Sequence, residues 1–481
     1  MGGGGGFGGG GLGGGGMGGV YMDAEGVVRA LKKKPKIAKS KASPLAADIA
    51  KRSDLRQVSL KNIDAQLRKH LAEGGSAAKL PEELRTMAGL YRIDYLVLDR
   101  KNHDVLLCGP AEGWVRDVDG RAIGKTSKRP ALDVADVAVA LRCVLSGDGE
   151  IKCSIDPKKS GLAKALDYEM PAGVTGDKAE AEQIRSEIEE RLGMQVVTTG
   201  GVPTGSRFAR AIVDADYRMK RIAMGIDRVP GLYTHLDAVS DIITTGVKKT
   251  NLARWWFTPN YEGVECDADH TTFRLLGQAM KLLNEEELVD ESGNRTGTGH
   301  SGAKWDRFSQ AFTQMLPQLE KNHTAFADLH NLYDLSMIAG VVKKEDCGDW
   351  LRGSALLDDK MFAIPTEIQP KFAEPVVTTR FIKRNKGGEA RLFIGVALGG
   401  VSMNPSSVVG APGFIRPGGG SSATSTGRTT TSSSGTSTGT GGSSSTAATK
   451  SFAAKDTAPL KPVARTVAGE EWWSDGPSSK D

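Results

Sequence analysis

Two apolar rhythms alternate along the chain from Val20 onward. Leu60, Ile63, Leu67 and Leu71 recur at three-to-four spacing and predict a helix over residues 59–71. Phe208, Ala211, Ile212, Ala215 and Met219 do the same over 206–224. Phe326, Leu329, Leu332, Tyr333 and Ile338 mark a core-facing helix over 323–342. The clearest helix spans 177–192: Asp177 and Glu180 form a capping-box pair, Ile184, Ile188 and Leu192 make its stripe, and Gly193 ends it. Helices are also expected over 134–144, after the Asp156-Pro157 start signal, and over 305–316, where Pro317 should break the run. Short continuous apolar runs read as strands at 93–98, 105–108, 151–155, 195–199, 253–257, 376–382 and 391–398. Residues 20–28 read as a hairpin turning at Glu25-Gly26. Helices and strands mix without a strict βαβ beat. The class is therefore α/β, a mixed sheet with packed helices, in which α+β fits as well as a regular parallel sheet.

Composition divides the chain. Residues 1–19 are almost all glycine, and 417–450 almost all Gly, Ser and Thr. Such tracts bury too little apolar surface to offset the entropy of ordering them, so both arms are expected to be disordered. The division expected is a Gly-rich arm (1–19), a hairpin and basic linker (20–54), a body in two parts (55–260 and 261–400), and a linker with a Trp-containing tail (401–481). Between Arg29 and Lys61 lie eleven Lys or Arg against two Asp, although the net charge of the whole chain is only +5. This basic arm is a candidate for nucleic-acid association. No aromatic residue interleaves its lysines, which argues against base stacking.

The five cysteines, Cys108, Cys143, Cys153, Cys266 and Cys347, include no C-x-x-C pair. They are read as reduced and structural; Cys143 and Cys153 flank a turn where a disulfide could form. No run of about 18 apolar residues is present, so no membrane span is expected. Glycine follows Met1 directly. The start as written points to a cytoplasmic protein, and a start further upstream would make it an exported or periplasmic one.

The loop most like a site reads T-G-G-V-P-T-G-S-R over residues 199–207, between a strand and a helix. Gly200 and Gly205 have the spacing of a phosphate loop, and Gly201, Ser206, Arg207 and Arg210 complete an anion-binding candidate. The lysine of that signature is missing, which argues against an ordinary nucleotide triphosphatase. The same residues also suit a plain turn, with Ser206 as helix cap. Along the helix Asp214, Arg218 and Arg221 continue a polar stripe, and Asp214–Arg218 and Asp216–Lys220 are spaced as solvated i,i+4 pairs.

Other motifs fall short. Residues 120–126 end like a phosphate loop but with one glycine misplaced, and residues 117–120 lack most oxygen ligands of a calcium loop. The seven histidines make no H-E-x-x-H, so no metal and no cofactor is expected. A Cys153 nucleophile would need a His brought in by the fold. Trp255-Trp256-Phe257 is either a core strand or an aromatic platform.

Five segments stand in a familiar order: LPEELRTMAGLYRIDY (80–95), CGPAEGW (108–114), CSIDP (153–157), GVPTGSRFARAIVDADYRMK (201–220) and RWWFTP (254–259). Together they resemble an uncharacterised domain family of large bacterial proteins, of planctomycete type, over about residues 55–345. The resemblance implies no catalytic role for any residue. It does imply an export signal before a glycine-rich segment.

With no complete catalytic signature, the first expectation is a non-enzymatic binding or assembly module. Its tail would offer Trp472-Trp473 to a protein partner. The alternatives are an enzyme or sensor for a phosphorylated or carboxylated small molecule at the 200–210 loop and helix, and nucleic-acid association through residues 29–61.

Overall fold

The computed structural model describes residues 20–30, 45–117, 120–169, 176–244, 252–383, 390–418 and 459–477. The two low-complexity arms, and Lys32, Lys33, Lys34, Lys36, Lys39 and Lys41 of the basic segment, lie outside them. The protein is α/β. One mixed sheet of fourteen strands organises the described residues, running Val20–Met22, Val27–Ala30, Phe372–Ala373, Gln195–Gly200, Ile151–Asp156, Leu398–Met403, Leu252–Cys266, Thr272–Val289, Tyr95–Asp99, Asp104–Ala111, Ser53–Ser59 and Trp473–Asp475. Two short strands flank this path, Arg295–Gly297 and Ile415–Pro417. Most pairings are antiparallel. Leu398–Met403 and Ile415–Pro417 run parallel to Leu252–Cys266, as Phe372–Ala373 does to Val27–Ala30.

The helices follow their stripes. Ser59 caps Leu60–Ala72 through the Asn62 amide, and Asp177 with Glu180 forms the capping box of Lys178–Leu192. Thr324–Lys344 is buried along nearly its whole length and packs on Val134–Leu141, Arg207–Ala223 and Ala303–Asn322. Trp255 and Phe257 are core residues, while Trp256 lies under the Arg254 guanidinium.

Several expectations are corrected. Pro317 does not break its helix, which runs Ala303–Asn322. A proline there cannot donate to the Thr313 carbonyl. The Gln278 side-chain amide donates to that carbonyl instead, at 2.8 Å. Gln278→Leu is therefore expected to cost about 1 kcal/mol, read as a lower denaturant midpoint; an unchanged midpoint would mean that solvent satisfies the carbonyl equally well. Asp156 does not cap the next helix, because its carboxylate pairs with Arg295 at 2.6 Å and the helix begins at Lys159. The strand expected over 253–257 continues to Cys266, with register shifts around Tyr261. It crosses residue 260, where the body was expected to divide. The body does not end at 400: Leu398–Met403, Pro405–Gly410 and Ile415–Pro417 belong to it.

The expected free tail is also different. Trp473–Asp475 pairs antiparallel with Arg56–Val58 and forms the sheet's last strand. Both Trp472 and Trp473 are half-buried, and the Arg56 guanidinium lies 4.4 Å from the Trp473 ring. The pair of tryptophans has a place on its own chain.

Candidate functional site

A cavity of about 320 Å³ opens where seven pieces of chain meet. The Val20–Ala30 hairpin supplies Val20, Tyr21, Met22 and Val28. The Glu82–Arg85 helix supplies Arg85, and the Trp114–Arg116 and Ala122–Gly124 hairpin brings Arg116, Arg121 and Ala122. Pro130–Asp133 leads into the Val134–Leu141 helix. Arg207–Ala223 contributes Arg207, Arg210, Ala211 and Asp214. Asp328 and residues 365–370 complete the wall.

The sequence explains why these segments stop where they do. Asp133 caps Val134–Leu141 by accepting from the Ala135 amide at 2.9 Å. Ser206 caps Arg207–Ala223 by accepting from the Ala209 amide at 3.1 Å, while its own hydroxyl donates to the Pro203 carbonyl. The hairpin is fastened to Phe372–Ala373 by strand pairing, and Arg29 bridges Asp23 at 2.7 Å and Glu374 at 2.9 Å.

Charge is organised around Arg207. Its guanidinium donates to Asp328 at 2.9 Å and through Nε to Asp136 at 2.7 Å, and both carboxyls are buried. Asp136 shares the Arg207 guanidinium with Asp328, which Arg121 also approaches at 3.6 Å, and Asp133 adds a third carboxyl; protonation relieves negative charge crowded in a low-dielectric place. Burial, with Asp133 and Asp328 adding to it and Arg207 opposing, pushes Asp136 up to about 8. Burial also raises Asp133, against the pull of Arg207. Asp214 behaves oppositely. Burial would raise it, but Arg218 at 2.6 Å and Arg121 outweigh burial and hold it below the usual carboxylate range. Arg210 pairs with Glu367, and Arg116 with Glu82.

Of the anion-site residues named from sequence, Arg207, Arg210 and Asp214 line the cavity. The others do not. Gly200 ends a strand against the Lys152 side chain. Gly201, at φ +78°, passes so close to the Glu150 carbonyl that a Cβ would sit 1.8 Å from its oxygen. Gly205 packs under Thr366 and accepts from the Glu367 amide at 2.7 Å. Packing accounts for all three glycines without an anion. Ser206 is buried as a cap, Arg218 holds Asp214, and Arg221 forms a two-point pair with Asp227 at 2.7 and 2.8 Å. The Asp216–Lys220 pair is not solvated as its spacing suggested. Both side chains are fully buried at 2.9 Å, and Lys220 also donates to the Ile155 and Gly399 carbonyls.

Sequence reasoning missed Arg85, Arg116, Arg121, Asp133, Asp136, Asp328 and Glu367. Two of them carried a signal: Asp136 and Asp328 interrupt apolar faces (V-A-D-V-A-V-A-L and A-F-A-D-L) at positions facing the core. A carboxyl in such a stripe needs a buried partner.

The cysteines are all free and buried. Cys153 lies beside Asp216 and Lys220, and burial holds its thiol well above the ordinary value. Cys266 instead has a histidine, with Sγ 3.6 Å from His270 Nε2 and His270 Nδ1 3.2 Å from Glu345. Burial pushes the Cys266 thiol up to about 11. Among the described residues no group of three His, Cys, Asp or Glu has the arrangement to hold a metal ion, and no helix is long and apolar enough to cross a membrane.

Fold and site together define an α/β protein with a cavity whose charge is set by arginine–carboxyl pairs. A family model described as a protein of unknown function (DUF1598) matches residues 153–233, the stretch from the Cys153 strand through the helix of Arg207 and Asp214. That match falls inside the span over which the sequence resembled an uncharacterised family. Comparison with curated proteins gave no match, and comparison with solved structures gave none.

Proposed function

We propose that this protein is a small-molecule-binding module whose ligand carries an anionic group and occupies the cavity beside Arg207. One observation carries the reading: a cavity of about 320 Å³ that combines an apolar hairpin wall with five arginines. That volume lies at the small end of the usual range for ligand sites, about 300–1,000 Å³. An apolar wall holds a ligand's body, and guanidinium forks orient its oxygens.

Nucleic-acid association has less support. Of the five described cations of residues 29–61, Arg56 is fully buried and Arg29 is engaged by two carboxylates, while Lys51, Arg52 and Lys61 are exposed.

The test is a thermal-shift screen of the full chain against a library of small organic anions and neutral analogues. Hits are expected that vanish in Ala211→Phe, which fills the cavity from the helix side. A library with no hit, or hits indifferent to Ala211→Phe, would sink the reading.

A further inference from the structure

Four of the five cavity arginines already have carboxyl partners: Arg116 with Glu82, Arg121 with Asp214, Arg207 with Asp136 and Asp328, and Arg210 with Glu367. Arg85 is different. Among the described residues its guanidinium reaches no carboxylate, and its one hydrogen bond is a long one to the Ala78 carbonyl at 3.5 Å. Its charge acts on the Asp133 carboxyl of the same cavity without a direct ion pair, and a half-buried cation held by no ion pair is poised for an external partner.

The backbone that presents Arg85 is strained. Directly after Arg85-Thr86 come Met87 at φ +50°, Ala88 at φ +53° and Gly89 at φ +77°. Two successive side-chain-bearing residues in the left-handed region are strained, and persist only where the surroundings over-determine them. Here they do: Met87 and Ala88 are fully buried, and the Ala88 carbonyl accepts from Arg56 at 2.5 Å. The strain fixes where the Arg85 helix ends, and so where Arg85 and Thr86 meet the cavity.

We propose that the cavity's ligand is a monocarboxylate with an apolar body, its carboxylate on Arg85 and its body against Val20, Met22, Val28 and Leu132. This rests on the binding reading above and narrows it to a substrate class. Charge counting selects the class. One unpartnered guanidinium balances one negative charge in a bidentate fork. A phosphate monoester brings up to two charges and would have to pull a second arginine from its carboxyl, leaving that carboxyl without its counter-ion. The apolar lining beside Arg85 suits a hydrocarbon or ring in place of a polyol.

The experiment is calorimetric titration of the full chain with benzoate, hexanoate, benzamide and phenyl phosphate, repeated on Arg85→Gln, Arg85→Lys and Ala211→Phe. Benzoate or hexanoate should bind and benzamide should not; phenyl phosphate should bind at least tenfold more weakly than the carboxylates. Arg85→Gln should weaken the carboxylate at least tenfold, and Arg85→Lys, which keeps the charge without the fork, by less. Circular dichroism checks that each variant is folded; should Arg85→Gln not fold, the Arg85→Lys affinity decides. Carboxylate binding unaffected by Arg85 substitution overturns the inference. So does a phosphate or neutral probe that binds best and is lost in Ala211→Phe, and in that case the cavity reading stands. If the wider library also gives no cavity-dependent hit, the cavity reading falls and takes this inference with it.

Discussion

Replacing Arg207 with methionine should lower the unfolding free energy by about 3–5 kcal/mol at neutral pH, the cost of leaving a buried ionised partner without its counter-ion. Asp136 and Asp328 both keep less than a tenth of their surface exposed, and both depend on this guanidinium. Methionine matches the side chain's volume but supplies no donor. Arg207→Lys should recover only part of the loss, since an ammonium cannot serve two carboxyls with the fixed fork of a guanidinium.

The pH dependence makes this prediction sharper than a stability loss alone. In the unfolded chain Asp136 titrates near 3.9, and in the fold near 8. Between those values the folded state binds more protons than the unfolded one. The contribution of this group is therefore full below about pH 4 and is lost as pH rises through about 8. Asp136→Asn, which resembles the protonated form, should flatten that part of the profile and gain relative to wild type above pH 7. In Arg207→Met the buried carboxyls can be relieved only by taking up protons, so the penalty should shrink toward pH 4.5. Urea titrations at three pH values measure all of this. A constant penalty across that range would mean that Arg207 contributes by packing and not by charge.

The same pair shows how much of the protein was legible in its sequence. Helix faces and short strands were readable because they depend on local spacing: Asp177 with Glu180, or the stripe from Phe208 to Met219, needs no knowledge of distant chain. The candidate helix was found, and with it Arg207, Arg210 and Asp214. Their partners were not, because Asp136 lies 71 residues and Asp328 121 residues away in sequence, and nothing local says which buried carboxyl meets which arginine. The glycine loop misled for a related reason. Gly200, Gly201 and Gly205 fit an anion cradle by spacing, yet the structure uses them for close backbone approach to Glu150 and the 366–367 segment. Pro317 misled because its compensating donor, Gln278, comes from a strand 35 residues from the carbonyl it serves. The tail was misjudged because Trp472-Trp473 in a polar context looks exposed until its docking surface is known.

That surface makes the tail the second large effect. Truncation after residue 458 should cost about 3–5 kcal/mol, net of the chain entropy regained, and should promote self-association. Arg465 is the counter-ion of Asp104, a fully buried carboxylate, at 2.5 Å. Gln57 and Asn62 donate to the Ala464, Gly469 and Glu471 carbonyls, and Arg56, itself fully buried, pairs with Asp475 at 2.9 Å. Val467 covers Val97, Leu106 and Cys108 on the outer face of the sheet. Removing the tail would strand these polar groups, bare that apolar face, and open the Ser53–Ser59 edge to pairing with another chain. Cys108, now buried with its thiol held high by burial, should become reactive toward a thiol reagent. A second deletion separates tail from linker. Gly418 packs directly on Leu460, so the chain returns to its point of departure, and residues 419–458 need span no distance. Replacing them with a short Gly-Ser join should keep Cys108 protected and the midpoint close to that of the full chain. Equal loss in both deletions would show that the linker and not the docked strand stabilises the sheet edge; no loss in either would show that the edge is stable uncovered.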